Sequence, residues 1–210
     1  MKRIDKSDIV CIIAAIVLLI MSIISYMDNE RMEYQVNTGL FCAFMCLVPM
    51  IFRQFNIMQL PFAFVILIAA SIFLHAYGVL LLKYDLLVMY DTLTHTASSI
   101  TVALCVFYAL MAVEIFDPKT KFTPKWIPMF IAMIMLTFSV YWEVFEFFVD
   151  ELTGTNMQYS PWDTVRDMIC NTFGALIITI SSKYYLKRHT CVAFIDSLQI
   201  HPKLKKFLSK

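Results

Sequence analysis

The chain has 210 residues, 60% of them apolar and 16% charged, with a mean hydropathy of +0.72. A soluble domain carries about a quarter charged residues, so this composition excludes one and indicates an integral membrane protein. A formal charge of +1, with no Lys/Arg run interleaved with aromatics, leaves no electrostatic footprint for nucleic acid. Six cysteines (Cys11, Cys42, Cys46, Cys105, Cys170, Cys191) are scattered without a CxxC pair. They read as small buried hydrophobes rather than as disulfides or a zinc site.

In chain order, Met1 to Lys6 is short and basic, and the run Ile9 to Met27 is long enough for about 30 Å of hydrocarbon. It ends in Ser25-Tyr26-Met27-Asp28 rather than at a small-residue cleavage site, which predicts an uncleaved first span. After the polar stretch Asp28 to Gln35, Asn37 or Thr38 would cap a second span over 38–53. A third covers 60–82 and carries His75 and Tyr77 in its last part; Tyr84 to Tyr90 is a connector; the fourth covers 91–113. Thr123-Pro124 would then open a fifth span over 126–152, with proline at its first helical position. Ser160-Pro161-Trp162-Asp163 has the form of a capping box and opens the sixth, 162–185. The expected fold is therefore all-α: a six-span membrane helical bundle over 1–188, followed by a basic tail, 189–210.

Six spans place both termini on one side. Fourteen Lys and Arg fall on the terminal side, against Arg31, Lys83 and Arg166 on the other, so the positive-inside rule makes the termini cytoplasmic. The tail from Lys203 to Lys210 intersperses Leu204, Phe207 and Leu208 among lysines and reads either as lying on anionic headgroups or as solvated.

This topology collects the unusual residues in the outer half of the membrane. Glu143, Glu146 and Asp150 in YWEVFEFFVD share one helical face by steps of three and four, opposite Val144, Phe147 and Phe148. Asp91 and His95 make a second stripe with Ser98, and Asp163, Asp167 and Asn171 make a third; His75 ends span three nearby. A charge at a bilayer centre costs about 2.5 to 3.5 kcal/mol even on insertion scales, so these acids need a partner, a proton or a cation. Six acids face Arg166 and two histidines. Crowded carboxylates with one or two imidazoles suit Mg²⁺, Mn²⁺ or Zn²⁺, and oxygen alone would suit Ca²⁺.

The metal-ligand candidates are Asp91, His95, Glu146, Asp150, Asp163 and Asp167. Glu143 and His75 are candidate general bases, and Asn171 would orient a ligand or substrate. Structural roles compete at each position. Asp163 and Asp91 also read as helix caps, Asp150 as solvated beyond its span, Glu143 and Glu146 as partners of Arg166 or a tyrosine, and the histidines as hydrogen-bonded interface residues. Tyr77, Tyr90 and Tyr141 could supply hydroxyls, Thr164 flanks the third stripe, and Trp126, Trp142 and Trp162 read as interface anchors.

The segments HAYG (His75 to Gly78), YDTLTH (Tyr90 to His95), YWEVFEFFVD and PWDTVRDMICNTFGALI (Pro161 to Ile177) resemble the YjdF-type family of bacterial inner-membrane proteins. In that family an HxYG segment, a YDxxxH segment, a Glu-rich helix and a WDTxxDM helix follow in this order. More distantly, Asp91 with His95, the intramembrane Glu, and Asp167, Asn171 and Gly174 are similar to VanZ-like membrane proteins, some associated with glycopeptide resistance. The resemblance covers about Leu74 to Ser181 and implies an inner-membrane, multi-pass protein with this polar cluster. This chain departs from the family pattern before its WD motif, where only Gly154-Thr155-Asn156-Met157-Gln158 precedes.

Three function classes follow. The first is a metal-dependent membrane hydrolase or transferase acting on a lipid or cell-envelope substrate. The second is proton- or cation-coupled transport, against which the inner halves of the spans carry almost no ionisable groups and no inverted repeat is visible. The third is non-catalytic binding of an envelope ligand.

Overall fold

The computed structural model describes residues 3–27, 33–87, 89–116, 119–123, 125–187, 195–196, 198 and 200–202. Among them the chain is entirely helical, with α1 Lys6–Met27, α2 Glu33–Gln54, α3 Phe62–Leu80, α4 Lys83–Leu86, α5 Tyr90–Phe116, α6 Ile127–Thr153 and α7 Pro161–Tyr185. Five of these, α1, α2, α3, α5 and α6, are long and apolar enough to cross a membrane. At 25 residues α7 is long enough too, but Asp163, Arg166, Asp167 and Asn171 in its first half dilute its apolarity. It falls outside that set.

The chain divides into two compact units, Met1–Tyr90 with Val192–Lys210, and Asp91–Cys191. The first is built on α1, α2 and α3 around Ala15, Leu18, Cys42, Ala43, Cys46, Ala76 and Leu80. Small side chains in this core let helix backbones approach closely, which is how helices associate where lipid removes the hydrophobic drive. One end of the unit is closed by charge. Arg53 at the end of α2 bonds Asp8 at 2.6 Å, Asp5 at 2.7 Å and the Arg3 carbonyl at 3.0 Å, and Gln54 donates to the same Asp8 oxygen at 3.0 Å. The late residues dock at this end of α2 and its following loop: Gln59 N–H donates to the Leu198 carbonyl, His201 N–H donates to the Ile57 carbonyl, and Ile195, Leu198 and Ile200 are buried. Part of the stretch expected as a basic tail, 189–210, is thus buried. Lys203 to Lys210, expected on headgroups, lies outside the described residues.

Several boundaries differ from the sequence expectation. Residues Asn37 and Thr38 are interior to α2, which is helical from Glu33, an acid suited to the positive end of the helix dipole. The connector after α3 is ordered, with Leu82 in the left-handed region at φ 53° leading into the single turn of α4. Helix α6 begins at Ile127 with Pro128 in its first turn, where a missing N–H costs nothing; Pro124 lies outside the described residues. Of the described cysteines, Cys105 is exposed and the other four are buried.

The second unit holds α5, α6 and α7. Gly154, at φ 67°, ends α6 in the left-handed conformation that glycine adopts without strain. Six residues later the expected cap is in place: Ser160 Oγ accepts from Asp163 N–H at 3.2 Å, with Pro161 in the first turn of α7. A connection this short makes α6 and α7 antiparallel neighbours.

Candidate functional site

Three polar stripes converge in the second unit, where the first turns of α5 and α7 meet the second half of α6. From α5 come Asp91, His95 and Ser99, in steps of four; from α7, Asp163, Asp167 and Asn171, likewise in steps of four. The α6 stripe is Ser139, Glu143 and Glu146. Every carboxylate in the set is at most 9% exposed, and Asp167 only 2%. What lets α7 approach α5 is Gly174. A Cβ there would sit 2.7 Å from the Thr96 carbonyl oxygen and 2.8 Å from Ser99 Cβ, so only glycine permits this crossing. One turn earlier on the same helix, Asn171 is thereby brought to His95.

At the centre, one ligand atom each from Asp91, His95 and Asp167 lie within 4.8 Å of one another. His95 Nε2 is 3.3 Å from Asp91 Oδ1 and 3.8 Å from Asp167 Oδ2. Two ligands bound at about 2.1 Å to one ion, in octahedral or tetrahedral geometry, lie about 3.0 to 3.4 Å apart. The first separation matches and the second needs a shift of about 0.4 Å or more. A charge-assisted N–H···O bond would be shorter than either, at about 2.7 to 2.9 Å.

The other face of the imidazole is held by Asn171, whose Oδ1 lies 3.3 Å from His95 Nδ1 and accepts from Ser99 Oγ at 2.6 Å. Its Nδ2 donates to Ser139 Oγ at 3.1 Å, so one amide ties α5, α6 and α7 together. With Oδ1 as acceptor, Nδ1 carries the proton, and in the neutral ring Nε2 presents its lone pair to the two carboxylates. This is the tautomer of a metal-binding histidine.

Arg166 bridges the outer acids. It bonds Asp91 at 3.0 Å and Asp163, and its Nε is 3.8 Å from Asp167. Trp142 Nε1 donates to Glu146 Oε1 at 2.8 Å. Neither oxygen of Glu143 makes a hydrogen bond among the described residues, although it is 5% exposed, and Thr164 and the charged groups of His95, Asp163 and Asp91 lie near enough to act on it. Buried carboxylates without partners are rare and mark a place where water, an ion or a reacting group belongs. Charge leads to the same point: five buried acids face Arg166 and His95, which even as an imidazolium would leave three negative charges unmatched.

Some expected members stand elsewhere. Asp150 is turned to the loop after α6, accepting from Thr155 Oγ1 at 2.8 Å, Met157 N–H at 2.7 Å and Gln158 N–H at 2.8 Å. It organises the α6–α7 connection. His75 belongs to the first unit, with Nδ1 2.9 Å from the Tyr84 hydroxyl. The Tyr90 hydroxyl donates to the Leu74 carbonyl within the first unit, and Tyr141 is 67% exposed. Asp91 lies inside α5, one residue past its start, and is no N-cap. Arg166 pairs with aspartates rather than with Glu143 or Glu146, and Trp142, expected as an anchor, partners Glu146.

Ser99 and Ser139 were missed. Ser98, the expected extension of the stripe, returns its hydroxyl to the Thr94 carbonyl at 2.6 Å, whereas Ser99 reaches Asn171. The signal was present, since Ser99 follows His95 by four and Ser139 precedes Glu143 by four.

Fold and site together define a multi-helix membrane protein carrying a buried carboxylate–imidazole group. The chain belongs to the family described as Predicted membrane protein (DUF2238), whose model matches residues 9–188. This is the YjdF-like family that the four motifs resemble, and the match does not extend to a VanZ-like relationship. No curated protein matches the chain, and no solved structure matches it.

Proposed function

We propose that this protein is a metal-dependent membrane hydrolase or transferase acting on a lipid or cell-envelope substrate, with a divalent ion among Asp91, His95 and Asp167. The observation that carries the reading is His95 itself. Its Nε2 faces two carboxylates at 3.3 and 3.8 Å while Asn171 holds Nδ1 from behind. Such a neutral imidazole beside two carboxylate oxygens suits Zn²⁺, Mn²⁺ or Mg²⁺, and Ca²⁺ less. The ion would polarise a phosphate or ester, or activate water. Glu143, without a hydrogen bond of its own, would take the proton, and Arg166 and Asp163 would hold Asp91 in place.

In this reading α7 is a sixth span and both termini are cytoplasmic, in the inner membrane. Support comes from the basic-residue asymmetry and, within the first unit, from the meeting of Arg3, Arg53, Gln59 and Leu198 at one end. The group then opens outward, with membrane lipids as surroundings and no nucleic acid involved.

Elemental analysis of detergent-purified protein tests this. One Zn, Mn, Mg or Ca per chain is expected, lost in folded Asp91→Asn/Asp167→Asn and retained in Glu143→Gln. No metal under any loading condition would sink the reading. Proton- or cation-coupled transport is the second reading, favoured by the buried Glu143 carboxyl, which makes no hydrogen bond among the described residues; flux in liposomes abolished by Glu143→Gln would select it.

A further inference from the structure

We infer that Glu143 and Glu146 of α6 form a subsite for a primary ammonium group of the substrate, so that the substrate class is an amine held beside Asp91, His95 and Asp167. This rests on the catalytic reading above. The two glutamates stand three residues apart on one face of α6, which puts their Cβ atoms about 5 to 6 Å from each other, and they are 5% and 7% exposed. Both oxygens of Glu143 are buried and make no hydrogen bond among the described residues, although Thr164 lies near enough to act on it. Glu146 commits Oε1 to the Trp142 indole at 2.8 Å, leaving Oε2 without a hydrogen bond among the described residues. Three acceptor oxygens on one helix face thus lack donors. A primary ammonium carries three N–H groups and can engage Glu146 Oε2 and one oxygen of Glu143, while the other oxygen of Glu143 takes the proton of the catalytic step.

Charge calls for the same ligand. Glu143 acting as a base is ionised, and with Asp91, Asp163 and Asp167 it makes four buried negative charges; beside a neutral His95, Arg166 and one divalent ion supply three positive ones. The other described cations of this unit, Lys119, Lys121, Lys125, Lys183 and Lys187, lie in the α5–α6 connection or from the last turn of α7 onward, at the opposite end of the helices. A neutral or anionic group leaves a buried charge unmatched, which is costly, and a single cation closes the difference. A second metal ion is the competing occupant, and the geometry disfavours it. Among the described residues, the His, Cys, Asp and Glu ligand atoms that gather in threes within 4.8 Å belong to Asp91, His95 and Asp167, and neither glutamate joins them. An ammonium forming N–H···O bonds of about 2.8 Å spans two oxygens up to about 5 Å apart. A quaternary ammonium has the charge but no N–H, and would leave the buried acceptors bare.

The test uses full-length protein in phosphatidylcholine nanodiscs, with Trp126→Phe/Trp162→Phe making Trp142 the sole indole, so that its emission reports on Glu146. Dodecylamine, borne by the bilayer, is titrated against dodecyltrimethylammonium; glucosamine, borne by water, is titrated against N-acetylglucosamine. A saturable change is expected with a primary amine and none with its matched control. The arm that saturates identifies whether the amine comes from a lipid or from a water-soluble envelope component. Glu143→Gln should weaken the response about ten-fold or more, since it removes one partner of the ion pair, with metal content unchanged. Glu143→Asp, which keeps the charge, should retain the response and serves as second variant should the first not fold. Equal responses to both amines and their controls, or undiminished binding in folded Glu143→Gln, would overturn the proposal. Wild-type protein without metal would instead defeat the catalytic reading, whichever way the titrations fall.

Discussion

Replacing Asn171 with alanine removes three contacts at once: the Ser99 Oγ bond at 2.6 Å, the Ser139 Oγ bond at 3.1 Å and the approach to His95 Nδ1 at 3.3 Å. Hydrogen bonds between membrane helices average about 0.6 kcal/mol, so the loss amounts to roughly 2 kcal/mol of stability. The effect on a metal should exceed what stability alone implies. Without Oδ1, nothing on that side fixes the imidazole tautomer or rotation, and removal of such a supporting group typically weakens metal affinity about 10- to 100-fold. Asn171→Asp separates the two consequences. An aspartate keeps an acceptor for His95 Nδ1 and for Ser99, and Ser139 can donate to its second oxygen, so metal affinity should hold near wild type. Affinity is read by chelator competition on detergent-purified protein, and stability by thermal unfolding of the same samples. Folded Asn171→Ala that binds metal as tightly as wild type would refute the idea that Asn171 positions His95.

Three further substitutions probe the frame. Gly174→Ala drives a methyl to 2.7 Å from the Thr96 carbonyl, a backbone atom that does not yield, and should cost about 1 to 3 kcal/mol in the unfolding assay; unchanged stability would mean that α5 and α7 do not touch there. Asp8→Ala leaves Arg53 with Asp5 as its one remaining carboxylate partner among the described residues and should cost about 3 kcal/mol, with a melting temperature equal to wild type as the contrary result. Asp150→Ala releases three donors of the 155–158 loop at a cost of about 1 to 2 kcal/mol, while metal content stays at the wild-type level; loss of the metal would restore Asp150 as a ligand.

Periodicity made most of the polar group legible. Asp91 with His95, and Asp163 with Asp167 and Asn171, recur every four residues, and a bilayer forces such stripes inward because lipid-exposed charge is costly. Burial of Glu143 and Glu146 against the exposure of Val144, Phe147 and Phe148 follows from the same rule. Periodicity is blind to where a side chain bends. Asp150 lies on the face of Glu146, but it sits within a turn of the helix end, where loop N–H groups compete for a carboxylate. Between Ser98 and Ser99, three or four residues past His95, only the crossing angle decides, and Gly174 sets that crossing from another helix. His75 belongs to the other compact unit, and proximity along a predicted membrane level carries no information about which helices pack together.

The charge balance narrows what can occupy the group. With His95 neutral, Asp91, Asp163 and Asp167 carry three negative charges against the single charge of Arg166, and one divalent ion closes that difference. Were His95 an imidazolium instead, the same three aspartates would still be one charge short, and its Nε2 would donate across 3.3 Å, longer than ion-paired imidazoles usually sit. Glu143 and Glu146, the other two of the five buried acids, lie outside that balance only as neutral carboxyls. Glu146 has the Trp142 indole to satisfy one oxygen, and neither oxygen of Glu143 makes a hydrogen bond among the described residues, although Thr164 lies near enough to act on it. Of the two, Glu143 is free to exchange a proton without breaking a hydrogen bond, which is why Glu143→Gln should leave both fold and metal intact while abolishing turnover or proton movement.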